Sequence, residues 1–380
     1  MVRTPNLKWL ARAAGLLAMA LLAGWFCLRK SPSANQTTPV PAPPAISVPS
    51  PAARQPDLDT PLLAAAKNLA GSADATRQKQ WLALLRETLA AGSTNEVSAA
   101  IRRFLATGVD APTGQGFKLG KNGFLTEAPT LRTWLMDYLA QIDPAAAAAA
   151  ARLVLSTKDS PDEWALALRD LALGDPSPDG RALLDQKIGE MLQYAPWLQN
   201  PSTGFLEAFD VAVYLGDPRL LPTLSDLVRQ PDNPDLAHAA FLAMDRLVIN
   251  QPAPMLTSLA ADPNSLRGFE NTRADFFARA DVRDPQQRQI VENYLLNPQI
   301  SAAEKSAFTG IFPNANYMIS DNLLTPNQTP DRAALIGRDA ASLQALQQWL
   351  ADPRFAALQP GLANAEQRLA GFVQQETAAH

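Results

Sequence analysis

An all-α fold, built as an α-solenoid of antiparallel helical hairpins with one small β-hairpin inserted, is what the sequence predicts. Three observations carry it. Apolar residues make up 47% of the 380 positions but aromatics only 7%, so alanine and leucine dominate, and these suit closely packed helices better than sheets. A capping residue followed by proline recurs along the chain, and between those marks the apolar positions keep helical spacing. The steps between successive first helices stay within the range of helical-hairpin arrays.

The chain opens MVRTPNLKWLARAAGLLAMALLAGWFCLRK, in which the 16 residues Ala13–Leu28 carry no charge between Arg12 and the pair Arg29, Lys30. A bilayer crossing takes roughly 20 apolar residues, but Arg12 can snorkel and lend another turn. Trp9 and Trp25 fall near the two interfaces. Residues 1–30 therefore read as a transmembrane signal anchor. Cleavage after Ser33 is the competing reading; Pro32 beside the bond and basic residues directly after the apolar run favour retention. A lipoprotein cut before Cys27 is disfavoured by the bulky Trp25 and Phe26. Arg3, Lys8, Arg12 and the amino terminus outweigh Arg29 and Lys30, so the N-terminus is expected in the cytoplasm. The body then faces the periplasm or the exterior, as in a single-pass inner-membrane protein.

Residues 31–59 are almost uncharged and rich in proline, serine and alanine. Such a segment cannot bury a core and serves as a semi-rigid spacer, extending about 3.1 Å per residue where it is polyproline-like.

The helical-repeat domain is expected over residues 60–380. Its punctuation is Thr60-Pro61, Asp143-Pro144, Ser160-Pro161, Asp217-Pro218, Asn233-Pro234, Asp284-Pro285 and Thr329-Pro330. The side-chain oxygen takes an orphaned backbone N–H, and proline at the first helical position loses only a donor without a partner. Ser160 with Glu163, and Ser301 with Glu304, read as capping boxes. First helices placed at Pro144, Pro178, Pro218, Ala253 and Pro285 give steps of 34, 40, 35 and 32 residues. Hairpins stacked at such a period each bury a face against the next.

GDPRLLPTLSDLV followed by NPDLAHAAFLAMDRLV resembles a HEAT repeat. The first helix opens on Asp-Pro and carries Pro222, expected to bend it as HEAT first helices often bend. The second has the spaced apolar and alanine positions Leu236, Ala239, Ala240, Ala243, Met244, Leu247 and Val248. Ala237 departs from the pattern, which often has arginine there. KDSPDEWALALRDLAL and RDPQQRQIVENYLLNPQISAAEKSAF match in part. The resemblance covers about half the chain, and implies a scaffold or binding surface without catalytic residues. On this reading Asp217 and Asn233 are helix caps.

Residues 113–127 break the helical pattern. Phe117 and Leu119 alternate around Lys118, and Asn122-Gly123 is a tight-turn signal followed by Phe124 and Leu125, which predicts a β-hairpin. Its glycines do not make a phosphate loop: Gln115 and Asn122 stand where a Walker motif needs glycine and a hydroxyl, and Leu119 stands where a dinucleotide motif needs glycine. The hairpin either covers an end of the helical stack or is a contact loop. In the second case Phe117, Lys118, Lys121, Asn122 and Phe124 are the candidate binding residues.

A net charge of -4 and a pI near 5.4 give no basic footprint for nucleic acid. One cysteine and two histidines, His238 and His380, leave no set for a disulfide or a zinc site, and no cofactor is expected. His238 is expected at a helix surface. Trp81, Trp134, Trp164, Trp197 and Trp349 follow no regular offset and are expected in the core. Asp162 and Glu163 are expected as first-turn charges. The function that uses every part is a non-catalytic, membrane-tethered scaffold binding another protein or peptide through its helical surface. A cell-envelope hydrolase or lyase is the alternative, and converging carboxylates beside a pocket would favour it. A glycan or peptidoglycan binder would need a row of exposed aromatics.

Overall fold

Capping chemistry sets where the helices begin. The computed structural model describes residues 57–262 and 264–378, and apart from one two-stranded sheet its regular structure is helical. The expected anchor, and the spacer up to residue 56, lie outside the described residues. Three helices come first: α1 Asp59–Ala70, α2 Ala75–Ala90 and α3 Thr94–Ala106. The hairpin follows as β1 Lys118–Leu119 and β2 Leu125–Glu127. Next come α4 Leu131–Ile142, α5 Pro144–Val154, α6 Pro161–Gly174, α7 Pro178–Met191 and the short α8 Ala195–Gln199, α9 Thr203–Glu207 and α10 Phe209–Leu215. The C-terminal half contains α11 Leu221–Val228, α12 Pro234–Asn250, α13 Pro252–Ala261, α14 Glu270–Ala278, α15 Pro285–Leu296, α16 Ala302–Ile311, α17 Arg332–Ala351 and α18 Gln359–Ala378.

The side chains of Asp143, Ser160, Asn233 and Asp284 each accept a backbone N–H two or three residues on, with proline opening the helix. Asp217 does the same for a 3₁₀ turn, Pro218–Leu220. Two starts fall elsewhere than predicted. Thr60-Pro61 lies inside the first turn of α1, where Asp57 accepts from the N–H groups of Asp59 and Thr60. Thr329-Pro330 precedes α17, whose cap is Asp331. Both predicted capping boxes are half formed, because their glutamates have stronger partners. Glu163 makes a two-point ion pair with Arg132 at 2.8 Å, and Glu304 accepts the Tyr294 hydroxyl at 2.8 Å. The reciprocal box forms at Ser93 with Glu96.

Pro222 does not bend a continuous helix. It sits in the first turn of α11, which restarts after the 3₁₀ turn at Pro218–Leu220, so the missing N–H falls where no helical partner was due.

Helices pack mainly on neighbours one to three places along the chain: α5 on α6, α6 on α7 and α9, α11 on α12, α12 on α13. Further on, α13 packs on α15 and α14 on α16, so α15 and α16 each pack on an earlier helix more than on one another. Among the described residues, Trp134, Trp164, Trp197 and Trp349 are core residues and Trp81 is half-buried. Trp164, Trp197, Tyr194, Phe205 and Phe209 form a chain of edge-to-face contacts beneath α9 and α10. This seats two very short helices that have little hydrogen bonding of their own.

Candidate functional site

The hairpin is tied to the helices behind it. Lys118 pairs with Glu127 and Leu119 with Leu125 across an irregular antiparallel register. The Gly120 N–H donates to the Phe124 carbonyl at 2.8 Å. Arg169 of α6, fully buried, donates to the Gly123 carbonyl at 3.0 Å and to Asp137 at 2.6 Å, and lies 4.9 Å from the Phe124 ring centre. Asp137 in turn accepts the Leu125 N–H at 3.0 Å. Asp162 bridges α6 to α9, accepting from the Ser202 hydroxyl at 2.5 Å and the Gly204 N–H at 3.0 Å. Asp162 and Glu163 are therefore tertiary cross-links as well as first-turn charges. Gly204 leaves room for Phe117, since a Cβ there would stand 2.8 Å from its ring.

The hairpin tip meets residues 312–331, a connection with no regular structure between α16 and α17. Structureless loops beyond roughly 12–15 residues are uncommon in compact domains, being either functional loops or linkers. This one is pinned at both ends. The Asn314 N–H donates to Ala278 at 2.8 Å, and Arg279 to the Asn316 carbonyl at 2.6 Å. Asp210 of α10 accepts the N–H groups of Leu324 and Thr325 at 2.6 and 2.8 Å, and pairs with Arg246 of α12 at 2.6 Å. Between the pins, Met318 is 43% and Ile319 73% exposed.

Gly123 has φ +78°, and a Cβ on it would lie 2.5 Å from the Leu323 carbonyl oxygen. Gly123→Val is therefore expected to strain the turn and push tip and loop apart. The cost should be about 1–3 kcal/mol in a urea titration, and an unchanged midpoint would show that the tip and loop do not depend on each other.

Hairpin, helices and loop frame a cleft of about 670 Å³. Phe117, Leu119, Leu206, Phe209, Val213, Ala239 and Leu242 supply apolar walls, and Met318 and Ile319 a rim. The charged residues are Glu207, Asp210, Asp235 and Asp321 against Lys118 and Arg246, with His238 exposed at the edge. Arg246 is committed to Asp210, Asn322 and the Thr325 hydroxyl. Glu207 has no hydrogen-bond or ion-pair partner among the described residues. Burial pushes its carboxyl up to about 7, with Asp210 and Asp321 adding repulsion and Arg246 opposing. These groups do not converge as a set that could hold a metal ion among the described residues.

Of the candidates read from the sequence, Phe117 and Lys118 line the cleft. Lys121 and Asn122 are exposed at the turn outside it, and Phe124 lies under Arg169. The hairpin forms one wall of this cleft, which favours the contact-loop reading. Glu207, Asp210, Arg246 and the loop were not anticipated. A signal for the loop was present: from 312 to 331 three prolines and four asparagines interrupt any apolar period.

The class these features define is an all-α protein with a hairpin-and-loop cleft on its helices. No protein-family model, curated protein or solved structure matches the chain.

Proposed function

We propose that the chain is a membrane-tethered, non-catalytic helical-repeat binding protein whose body lies in the periplasm or outside the cell, and that the cleft is its receptor for a protein or peptide. The cleft carries this reading: apolar walls with a few polar groups, framed by loops on packed helices, are the composition of a binding site. The packing of helices on near neighbours in the chain supports a repeat array. The burial of most of the tryptophans favours a protein ligand over a glycan. The anchor and spacer give the tether.

Ile319, exposed on the cleft rim, is the place to test it. With p-benzoylphenylalanine at 319, irradiation of intact cells is expected to attach one protein reproducibly. The same label at Leu153, 67% exposed on α5 and absent from the cleft lining, should not attach it. No adduct specific to position 319 would remove the receptor reading.

One observation favours a second reading, an envelope hydrolase: burial pushes the Glu207 carboxyl up to about 7 with Asp321 close enough to act on it, as a general acid beside a base would have. Against it, Asp210 is spent on Arg246 and the loop. Release of soluble fragments from envelope polymers, lost in Glu207→Gln, would establish it.

A further inference from the structure

We infer that the cleft takes a cationic side chain, a lysine or arginine beside a large apolar residue on an extended partner segment, with Glu207 as the counter-charge. This rests on the reading of the cleft as a receptor.

Charge complementarity commits the occupant. Glu207 stands half-buried on α9 against apolar walls, and no described residue makes a hydrogen bond or ion pair with it, Arg246 acting on it only at longer range. Arg246, the neighbouring cation, already serves Asp210, Asn322 and Thr325. An unpaired carboxylate taken from water is costly, and an incoming ammonium or guanidinium converts that cost into a charge-assisted bond. Asp235 on α12 and Asp321 on the loop extend the same sign to the rim. An anionic segment would meet all three. The walls ask for an apolar neighbour: Leu206, Leu242 and Val213 line the cleft, whose volume of about 670 Å³ admits a leucine- or phenylalanine-sized side chain, and the exposed Met318 and Ile319 line it from the loop. Lys118 on the hairpin and His238 on α12 face the same space and oppose a cation, so the ligand charge belongs on the Glu207 and Asp321 side.

The carboxyl of Glu207 titrates near 7 in the free protein, and a bound cation favours its ionised form. Below that pH a proton must leave before the ligand binds, so affinity rises with pH. From pH 6 to pH 8 the gain should be about tenfold for one linked proton. His238 faces the same cleft, so the profile is measured on His238→Gln protein.

The full chain in detergent micelles is panned against a displayed random heptapeptide library at pH 8. The enriched peptides are synthesised and their affinities measured by fluorescence polarisation. Lysine or arginine next to leucine, phenylalanine or methionine is expected. Glu207→Gln should weaken those peptides about tenfold, abolish the pH dependence and leave neutral analogues unchanged. Because its raised carboxyl loses stability progressively as pH rises from the ordinary glutamate range to about 7, Glu207→Gln should also melt higher than the parent at pH 8 and the same at pH 4, which separates lost binding from lost folding. Enrichment of neutral or acidic peptides that Ala239→Trp blocks would overturn the cationic ligand and leave the receptor standing. A dimer crosslinked through position 319 would assign the cleft to a second copy and overturn it too. No enrichment sensitive to Ala239→Trp would overturn both.

Discussion

Arg169→Ala is expected to destabilise the fold by about 3–5 kcal/mol, the usual cost of stripping one partner from a buried charge group. The guanidinium is fully buried, pairs with Asp137 and Asp170, and holds the Gly123 carbonyl. Its loss leaves two buried carboxylates without a counter-charge. Burial has already pushed the Asp170 carboxyl up to about 6, with Arg169 opposing and Asp137 adding. A carboxyl raised in this way contributes stability below its unfolded pKa and loses it as pH rises through the folded one. Without Arg169 the carboxyl climbs further. The variant's deficit should therefore be larger at pH 8 than at pH 5, read from urea midpoints at the two values. A deficit independent of pH would mean that packing, not charge, holds the hairpin. The hairpin amides, Leu125 above all, should exchange faster in the variant, since Asp137 loses the group that orients it.

Asp210→Ala is expected to free the loop. One carboxylate accepts two backbone N–H groups, the Thr325 hydroxyl and Arg246. Hydrogen bonds to a charged group contribute about 1.5–3 kcal/mol each, so exchange at Leu324 and Thr325 should accelerate by roughly 100-fold or more. Unfolding should cost about 2–3 kcal/mol less than in the parent. The early helices, α1 to α3, should keep their protection. If Leu324 and Thr325 stay protected, the loop is held by Leu323 packing and the Asn314 contact instead. Ligand capture at the cleft should fall with the loop, because Met318 and Ile319 lose their place at the rim.

The helices were legible because their start signals are local. Asp143, Ser160, Asn233 and Asp284 cap with their own side chains within three residues, and no distant partner is needed. Asn122-Gly123 announced the hairpin for the same reason: the positive φ at Gly123 is a property of one residue. Glu163 and Glu304 were misread as box partners because Arg132 and Tyr294, which they prefer, lie 31 and 10 residues away. The cleft was illegible on the same grounds. Glu207 sits in a five-residue helix too short to show an apolar period, and Asp210 meets Leu324 across 114 positions. Of the five residues the hairpin offered, only Phe117 and Lys118 reach the cleft, because the turn points Lys121 and Asn122 away.

That last separation bears on how the molecule comes into being. Contacts between adjacent helices can close as the chain leaves the ribosome, whereas the span from Asp210 to Leu324 closes only after nearly the whole body has been made. A nascent chain thus acquires most of its helices before the cleft has its loop wall. A chain ending before residue 312 would lack the loop that walls the cleft, so the cleft is completed only by the last part of the chain to be made.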